Sequence, residues 1–258
     1  MAMWLSSRER REPHLSTMKE QQRSLWTTAI ISKLSLSKLS LTTMTTPALK
    51  LTYFDIAGRA GTARLALTIT GIPFEDVRVL TPEEWAAMKQ SVPYKLLPTL
   101  SVDGQVFAQS HAITRYVGTL SGFYPKNNPL VALLVDEICD FNEDILAALV
   151  LGFLEQDQNK RRAKREELAT TKLPEMFAML EARLASSKGD PWVLDSISLA
   201  DLSIYGTVSM MKSGRLELIP TDICEKYAKM TAIYEAVAKL PAVAAWNDAH
   251  QCPPCFMT

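Results

Sequence analysis

The chain has 258 residues, 47% hydrophobic and 22% charged, with 28 Lys and Arg balanced by 28 Asp and Glu. That length suggests one large domain or two modest ones, with a core that needs no disulfide or metal staple. Zero net charge argues against a protein built to hold nucleic acid or another polyanion. The longest apolar run, residues 145–154, is about half of the ~20 residues that a membrane-spanning helix needs. Four scattered cysteines (Cys139, Cys224, Cys252 and Cys255) make a reducing compartment the default.

Residues 1–47 hold seven basic and three acidic side chains, eight Ser, seven Thr and no Gly. This composition reads as an extension, either disordered or targeting. A mitochondrial or plastid address through residues 1–43 is the alternative to a cytoplasmic chain whose ordered pattern starts just after Met44. From residue 48 the pattern changes. Leu49–Phe54 reads as a strand, with Leu49, Leu51 and Tyr53 alternating against Lys50 and Thr52. A Gly58–Gly61 turn, a helix stopped at Gly71 and a strand over 74–79 follow. Thr81-Pro82-Glu83-Glu84 opens a short helix. Pro98 then precedes a strand over 99–102, and Asp103-Gly104 turns into a strand over 106–108, a strong hairpin signal. Ser110 is placed to cap a helix carrying Ile113, Tyr116, Val117 and Leu120. The order βαβ, short helix, ββα predicts a thioredoxin-like α/β unit over 48–122. After the Pro- and Asn-rich linker 122–129, residues 129–250 read as all-helical, and 251–258 as a tail.

Ready-made catalytic kits are scarce. No Gly-x-Ser-x-Gly elbow, His-Glu-x-x-His pair or phosphate loop occurs in the sequence. His250-x-Cys252-Pro253-Pro254-Cys255 lacks the further ligands that a metal site needs, so no metal is expected. Lys160-Arg161-Arg162-Ala163-Lys164-Arg165, followed by two glutamates, reads as a solvated helix face. Ser198-x-x-Asp201, flanked by Ile197 and Leu202, is a capping box with a hydrophobic staple, a folding device without chemistry.

Several pieces gain meaning as an ordered set. They are Leu49-Lys50-Leu51-Thr52-Tyr53-Phe54, Glu75-Asp76-Val77-Arg78, Glu84-Trp85, Leu97-Pro98-Thr99-Leu100, Val102-Asp103-Gly104 and Gln109-Ser110-x-Ala112-Ile113-x-Arg115-Tyr116. In the second half come Val135-Asp136, the Ser198 box and Pro241-Ala242-Val243-x-x-Trp246. In this order and spacing the chain resembles the cytosolic glutathione transferases of the tyrosine type, most of all the sigma class, over residues 48 to about 249.

The resemblance implies a detoxifying enzyme that uses glutathione as co-substrate. Tyr53 would stabilise the glutathione thiolate and Arg59 would add its charge near the sulfur. Trp85 and Lys89 would hold the glycine carboxylate. Leu96, Leu97 and Pro98 would run beside the cysteinyl segment, with the Leu97 backbone pairing as an added strand does. Gln109 and Ser110 would grip the γ-glutamyl carboxylate, and Asp136 would reach the γ-glutamyl ammonium in a neighbouring subunit of a homodimer. The chain also departs from the family pattern. Lys95-Leu96 replaces a usual Gly followed by Gln or Lys, Ala57 stands where an arginine is common, and His111 replaces a usual leucine.

Three functions fit this pattern. The first is conjugation of glutathione to a small hydrophobic electrophile, in a pocket near Ile56, Arg59 and the helix carrying Leu146, Leu149 and Val150. The second is a glutathione-dependent isomerase or peroxidase of the prostaglandin-isomerase kind. The third is a non-catalytic, crystallin-like binder on the same fold, against which the retention of Tyr53 and Arg59 weighs.

Overall fold

A computed structural model describes residues 46–187 and 189–250 of the chain. All but two residues of the expected extension, and the whole 251–258 tail with Cys252 and Cys255, lie outside the described residues. The first element is β1 (Leu49–Phe54). A 3-10 turn, Gly58–Ala60, leads from it into α1 (Gly61–Thr70), which stops at Gly71 in the left-handed region, φ 67°. Then come β2 (Glu75–Val79), α2 (Pro82–Met88), β3 (Thr99–Val102), β4 (Gln105–Ala108) and α3 (Ser110–Ser121). The four strands form one sheet in the order β2-β1-β3-β4, with β1–β2 parallel and the other pairs antiparallel. This is a thioredoxin-like sheet, and an all-helical half follows it.

Local chemistry sets the boundaries. Thr81 caps α2 by accepting the Glu84 amide at 3.2 Å, while the Glu84 carboxylate accepts the Thr81 and Leu80 amides in return. Asp103 and Gly104 both take positive φ, 50° and 89°, as the expected two-residue hairpin requires. The β1 alternation holds except at Thr52, which is also buried. As an inner strand between β2 and β3, β1 is covered on both faces there, so alternation alone misplaces it.

In the helical half, Asn128 caps the 25-residue α4 (Pro129–Phe153). Next comes a rod made of α5 (Gln158–Glu167), a π-helical turn (Leu168–Lys172) and α6 (Leu173–Leu184). Then α7 (Leu199–Lys212), α8 (Ala228–Ala238) and α9 (Pro241–Ala249) complete it. The basic run is not wholly solvated as expected. Arg165 is buried, lies 4.1 Å over the Phe153 ring and pairs with Glu217. A run of charges follows the helix period, so one of its members turns inward. Among the described residues no helix is long and apolar enough to cross a membrane.

The core is continuous from sheet to helices, and α7 is its axis, packing against α1, α4 and α8. α3 comes so close to the start of α7 that a Cβ on Gly118 would lie 2.5 Å from Leu199 Cδ1. A buried polar link joins α4 to α7, the Thr207 hydroxyl donating to Asn142 Oδ1 at 2.7 Å. The α7 start is fixed by Asp201, fully buried, whose carboxylate accepts the Val193 amide, the Ser198 amide and the Ser198 hydroxyl, each at 2.8 Å. Burial pushes its pKa up while these donors hold it down.

Asp201→Ala is predicted to strand two buried amides, each costing about 1–3 kcal/mol. The expected loss is about 3 kcal/mol or more, a fall in Tm of roughly 6–12 °C for a chain of this size. Thermal or urea unfolding measures it, and a loss under about 1 kcal/mol would contradict this role for the box.

Candidate active site

The strand register collects the expected site residues on one rim of the sheet. Thr52 pairs with Thr99, and Thr99 pairs with Ala108. The neighbouring residues Tyr53, Pro98 and Gln109 therefore leave the sheet at the same edge. α2, carrying Trp85 and capped at its end by Lys89, follows β2, which ends beside Phe54.

Tyr53 is 5% exposed. Its hydroxyl oxygen accepts the Arg59 backbone N–H at 3.3 Å. A tyrosine hydroxyl has one proton and can also accept, so this bond uses the oxygen and leaves the proton for another partner. Burial pushes the phenol pKa above its ordinary 10.0, with the Arg59 amide and charge opposing. The group therefore stays a neutral donor at neutral pH. The turn fits closely around it. Gly58 has φ 37°, and a Cβ there would sit 2.8 Å from the Tyr53 hydroxyl, so only glycine suits.

A residue unsuspected from sequence holds the end of β1. Arg64, 2% exposed, donates to the Ile56 carbonyl at 2.6 Å and from Nε to Asp76 Oδ1 at 2.9 Å. Its guanidinium lies 5.8 Å from the Tyr53 ring centroid. Asp76 also takes Arg78 Nε at 2.9 Å, and Arg78 reaches Asp55 at 2.6 Å. A charge-assisted network thus ties the strand end, the following turn and β2 together.

Arg59 reaches across to α4. Its Nε and Nη2 lie 2.7 and 2.6 Å from Glu143 Oε1. The other Glu143 oxygen faces His111 Nε2 at 3.9 Å, and His111 Nδ1 contacts Asp140. Burial alone would raise the Glu143 pKa, but the nearby His111 ring and the Arg59 hydrogen bond hold the carboxyl below its usual range. The nearby Glu143 carboxylate is the main cause that raises the His111 imidazole above 6.5, with burial opposing and Asp140 adding. Glu143 and Asp140 have no sequence signature, because their partners lie far away along the chain.

The remaining expected residues fall around this rim. Trp85 is half-buried, its ring edge-on to Phe54 at 5.7 Å, and the Lys89 ammonium lies 5.8 Å from the Trp85 ring centroid. Leu96 is 56% exposed and extended, and the Leu97–Pro98 peptide is cis. The expectation that Ser110 caps α3 needs correcting. Gln109 holds the cap position, at φ 79° and ψ 109°, without a side-chain cap bond, and Ser110 is the first helical residue. A side chain in this sparsely populated region is strained by about 1–3 kcal/mol. Ser110 sits at the open amide end of α3, where an anion is favoured. Asp136 takes Arg115 Nε at 2.7 Å and the Tyr124 hydroxyl at 2.9 Å, so each of its oxygens already has a partner within the chain. Of the expected pocket residues, Leu149 belongs to the core. A surface hollow of about 430 Å³ lies at the far end of α3, between Thr119 and Asn128, away from this rim.

Comparison with known proteins agrees with this geometry. Residues 49–119 match the glutathione S-transferase N-terminal domain and residues 143–250 the glutathione S-transferase C-terminal domain. Glutathione S-transferase 1 of Ascaris suum is 37% identical over 206 residues, 78% of this chain and 95% of that protein. Hematopoietic prostaglandin D synthase of Gallus gallus is 33% identical over 200 residues, with the same coverage of 78% and 95%. The solved glutathione S-transferase of Ascaris lumbricoides superposes with a TM-score of 0.67 at 34% identity, covering 81% of this chain and 100% of that one. With its sheet, its helical half and both sequence signatures in place, the chain belongs to the glutathione S-transferase family.

Proposed function

We propose that the chain conjugates the thiolate of glutathione to small hydrophobic electrophiles, with Tyr53 as the group that stabilises the thiolate. The observation that carries this is the buried, neutral Tyr53 phenol, whose oxygen accepts the Arg59 amide, a bond that leaves the hydroxyl proton available to another partner. A free thiol titrates near pH 8.5, so at neutral pH the nucleophile is mostly protonated. Lowering that value by about 2 units takes ~2.7 kcal/mol of preference for the thiolate. One charge-assisted hydrogen bond supplies about 1.5–3 kcal/mol, and the charge of Arg59 adds to it. The thiol proton leaves to solvent. The sulfur pair then forms a bond to the electrophilic carbon as the leaving group departs with its own pair.

The rest of the rim suits the two ends of the tripeptide. Trp85 and Lys89 offer an indole N–H and an ammonium to the glycine carboxylate. Leu96, Leu97 and Pro98 offer extended backbone beside the cysteinyl segment. Gln109 and Ser110, with the α3 amides, offer donors to the γ-glutamyl carboxylate. Asp136 serves a neighbour's ammonium only through lone pairs that Arg115 and Tyr124 leave open. The same thiolate supports a second reading, glutathione-dependent isomerisation, which the prostaglandin D synthase relative favours. Assaying a chloronitrobenzene electrophile beside a peroxide and endoperoxide panel separates the two readings.

Tyr53→Phe is expected to cut turnover by ~10²-fold or more, with glutathione binding little changed, since only the sulfur contact is lost. Unaltered turnover would assign thiol activation to another group.

A homodimer belongs to the same proposal. Its support is the large exposed apolar side chains of Tyr94 (74%), Leu130 (75%) and Leu133 (62%). Light scattering should show twice the chain mass at micromolar concentration, and a single-chain particle would reject the dimer.

Work in the cytoplasm fits the free cysteines Cys139 and Cys224. Removing residues 1–43 should leave Tm and turnover unchanged, because every proposed site residue lies beyond them. A C-terminally tagged full chain found in an organelle would instead give that segment an address.

A further inference from the structure

We propose that His111 is a positioning residue for the reaction: by sharing Glu143 with Arg59, its ring governs how much of the Arg59 charge reaches the sulfur of bound glutathione. The inference rests on the reading of Tyr53 and Arg59 as the thiolate site. It starts from geometry. One Glu143 oxygen is held by Arg59 at 2.6–2.7 Å and the other faces His111 at 3.9 Å, while the second ring nitrogen of His111 meets Asp140. Both ring nitrogens thus face carboxylates, an arrangement that suits an imidazolium.

The charges around the ring can be named element by element. On α3 itself stands Arg115, bound to Asp136 at 2.7 Å and 3.5 Å from Asp140. α4 supplies Asp136, Asp140 and Glu143, while its Asp144 is exposed. The 58–60 turn supplies Arg59. On the neighbouring α1, Arg64 is turned to Asp76 and the Ile56 carbonyl, and on α7 Asp201 is turned to Val193 and Ser198. With the ring protonated, three cations (Arg59, Arg115, His111) face three anions. With the ring neutral, the cluster carries one net negative charge beside the reacting sulfur, and Glu143 is left to Arg59 alone. A thiolate forms less readily next to that negative charge.

The experiment follows the ultraviolet absorbance of the thiolate as glutathione bound to the full chain is titrated with pH. His111→Gln should move the midpoint up by about 0.5–1 pH unit, and His111→Lys, which keeps a permanent cation, should return most of the shift. kcat/KM at the wild-type midpoint should fall about two- to fivefold in His111→Gln, with KM for glutathione little changed. The raised imidazole gives a second readout. Its charge stabilises the fold below about pH 6.5, and that contribution is lost as pH rises through the folded-state value. The Tm difference between wild type and His111→Gln should therefore be larger near pH 6 than near pH 9. A midpoint that ignores His111→Gln, a His111→Lys variant that behaves like the Gln variant, or a Tm difference independent of pH overturns the inference. If His111→Gln does not fold, the same titration on His111→Asn decides, and an unmoved midpoint there overturns the inference. A wild-type chain whose glutathione titrates like the free thiol, or a Tyr53→Phe variant with an unmoved midpoint, overturns the thiolate site itself. A wild-type thiolate indifferent to His111 overturns this inference alone.

Discussion

The bond on which the site depends runs from the Arg59 amide to the Tyr53 hydroxyl, at the buried end of β1. Burial keeps the phenol protonated, and the amide fills its acceptor side, so what remains is one O–H to donate. Neither condition suffices alone. An exposed tyrosine would bond to water, and a buried one without the amide would have to find another donor. Gly58 makes the close approach possible, because any Cβ there would strike the hydroxyl. The Arg64 network then holds the carbonyls of the same turn from behind.

Sheet and helices meet through charge as well as through the core. Arg59 belongs to the turn after β1, yet its side-chain partner, Glu143, lies 84 residues on in α4. The pair is partly buried, at 33% and 25% side-chain exposure, where it is screened less than a surface pair. One carboxylate therefore links the helical half to Arg59, the group proposed to face the sulfur. His111 and Asp140 extend this link to the first turn of α3, next to Ser110. The proposed thiolate and γ-glutamyl contacts thus share one electrostatic neighbourhood.

Much of the fold was legible because its signals are local. The first strand, the Asp103-Gly104 hairpin, the Thr81 cap and the stop at Gly71 each depend on a few adjacent residues, and each stands in the structure as read. What depended on distant partners was not legible. Thr52 is buried because two strands flank β1. Arg165 is buried because Phe153 and Glu217 receive it. The rod over 158–184 carries Pro174 just after its π turn, where the ring removes a backbone donor from the helical ladder. For the site, Tyr53 alone reads as an ordinary strand-end tyrosine, and the order of the pieces around it made it a candidate. Glu143 could not be found that way, since an acid on a long amphipathic helix is unremarkable until Arg59 is seen beside it.

The central claim is that bound glutathione is ionised at neutral pH by a neutral phenol. Titration calorimetry in buffers of different ionisation enthalpy counts the protons released on binding. Near pH 7, glutathione should release close to one proton per site, because its free thiol is mostly protonated, while S-methylglutathione, which has no thiol proton, should release none by this route. Equal proton release by the two ligands would contradict the claim.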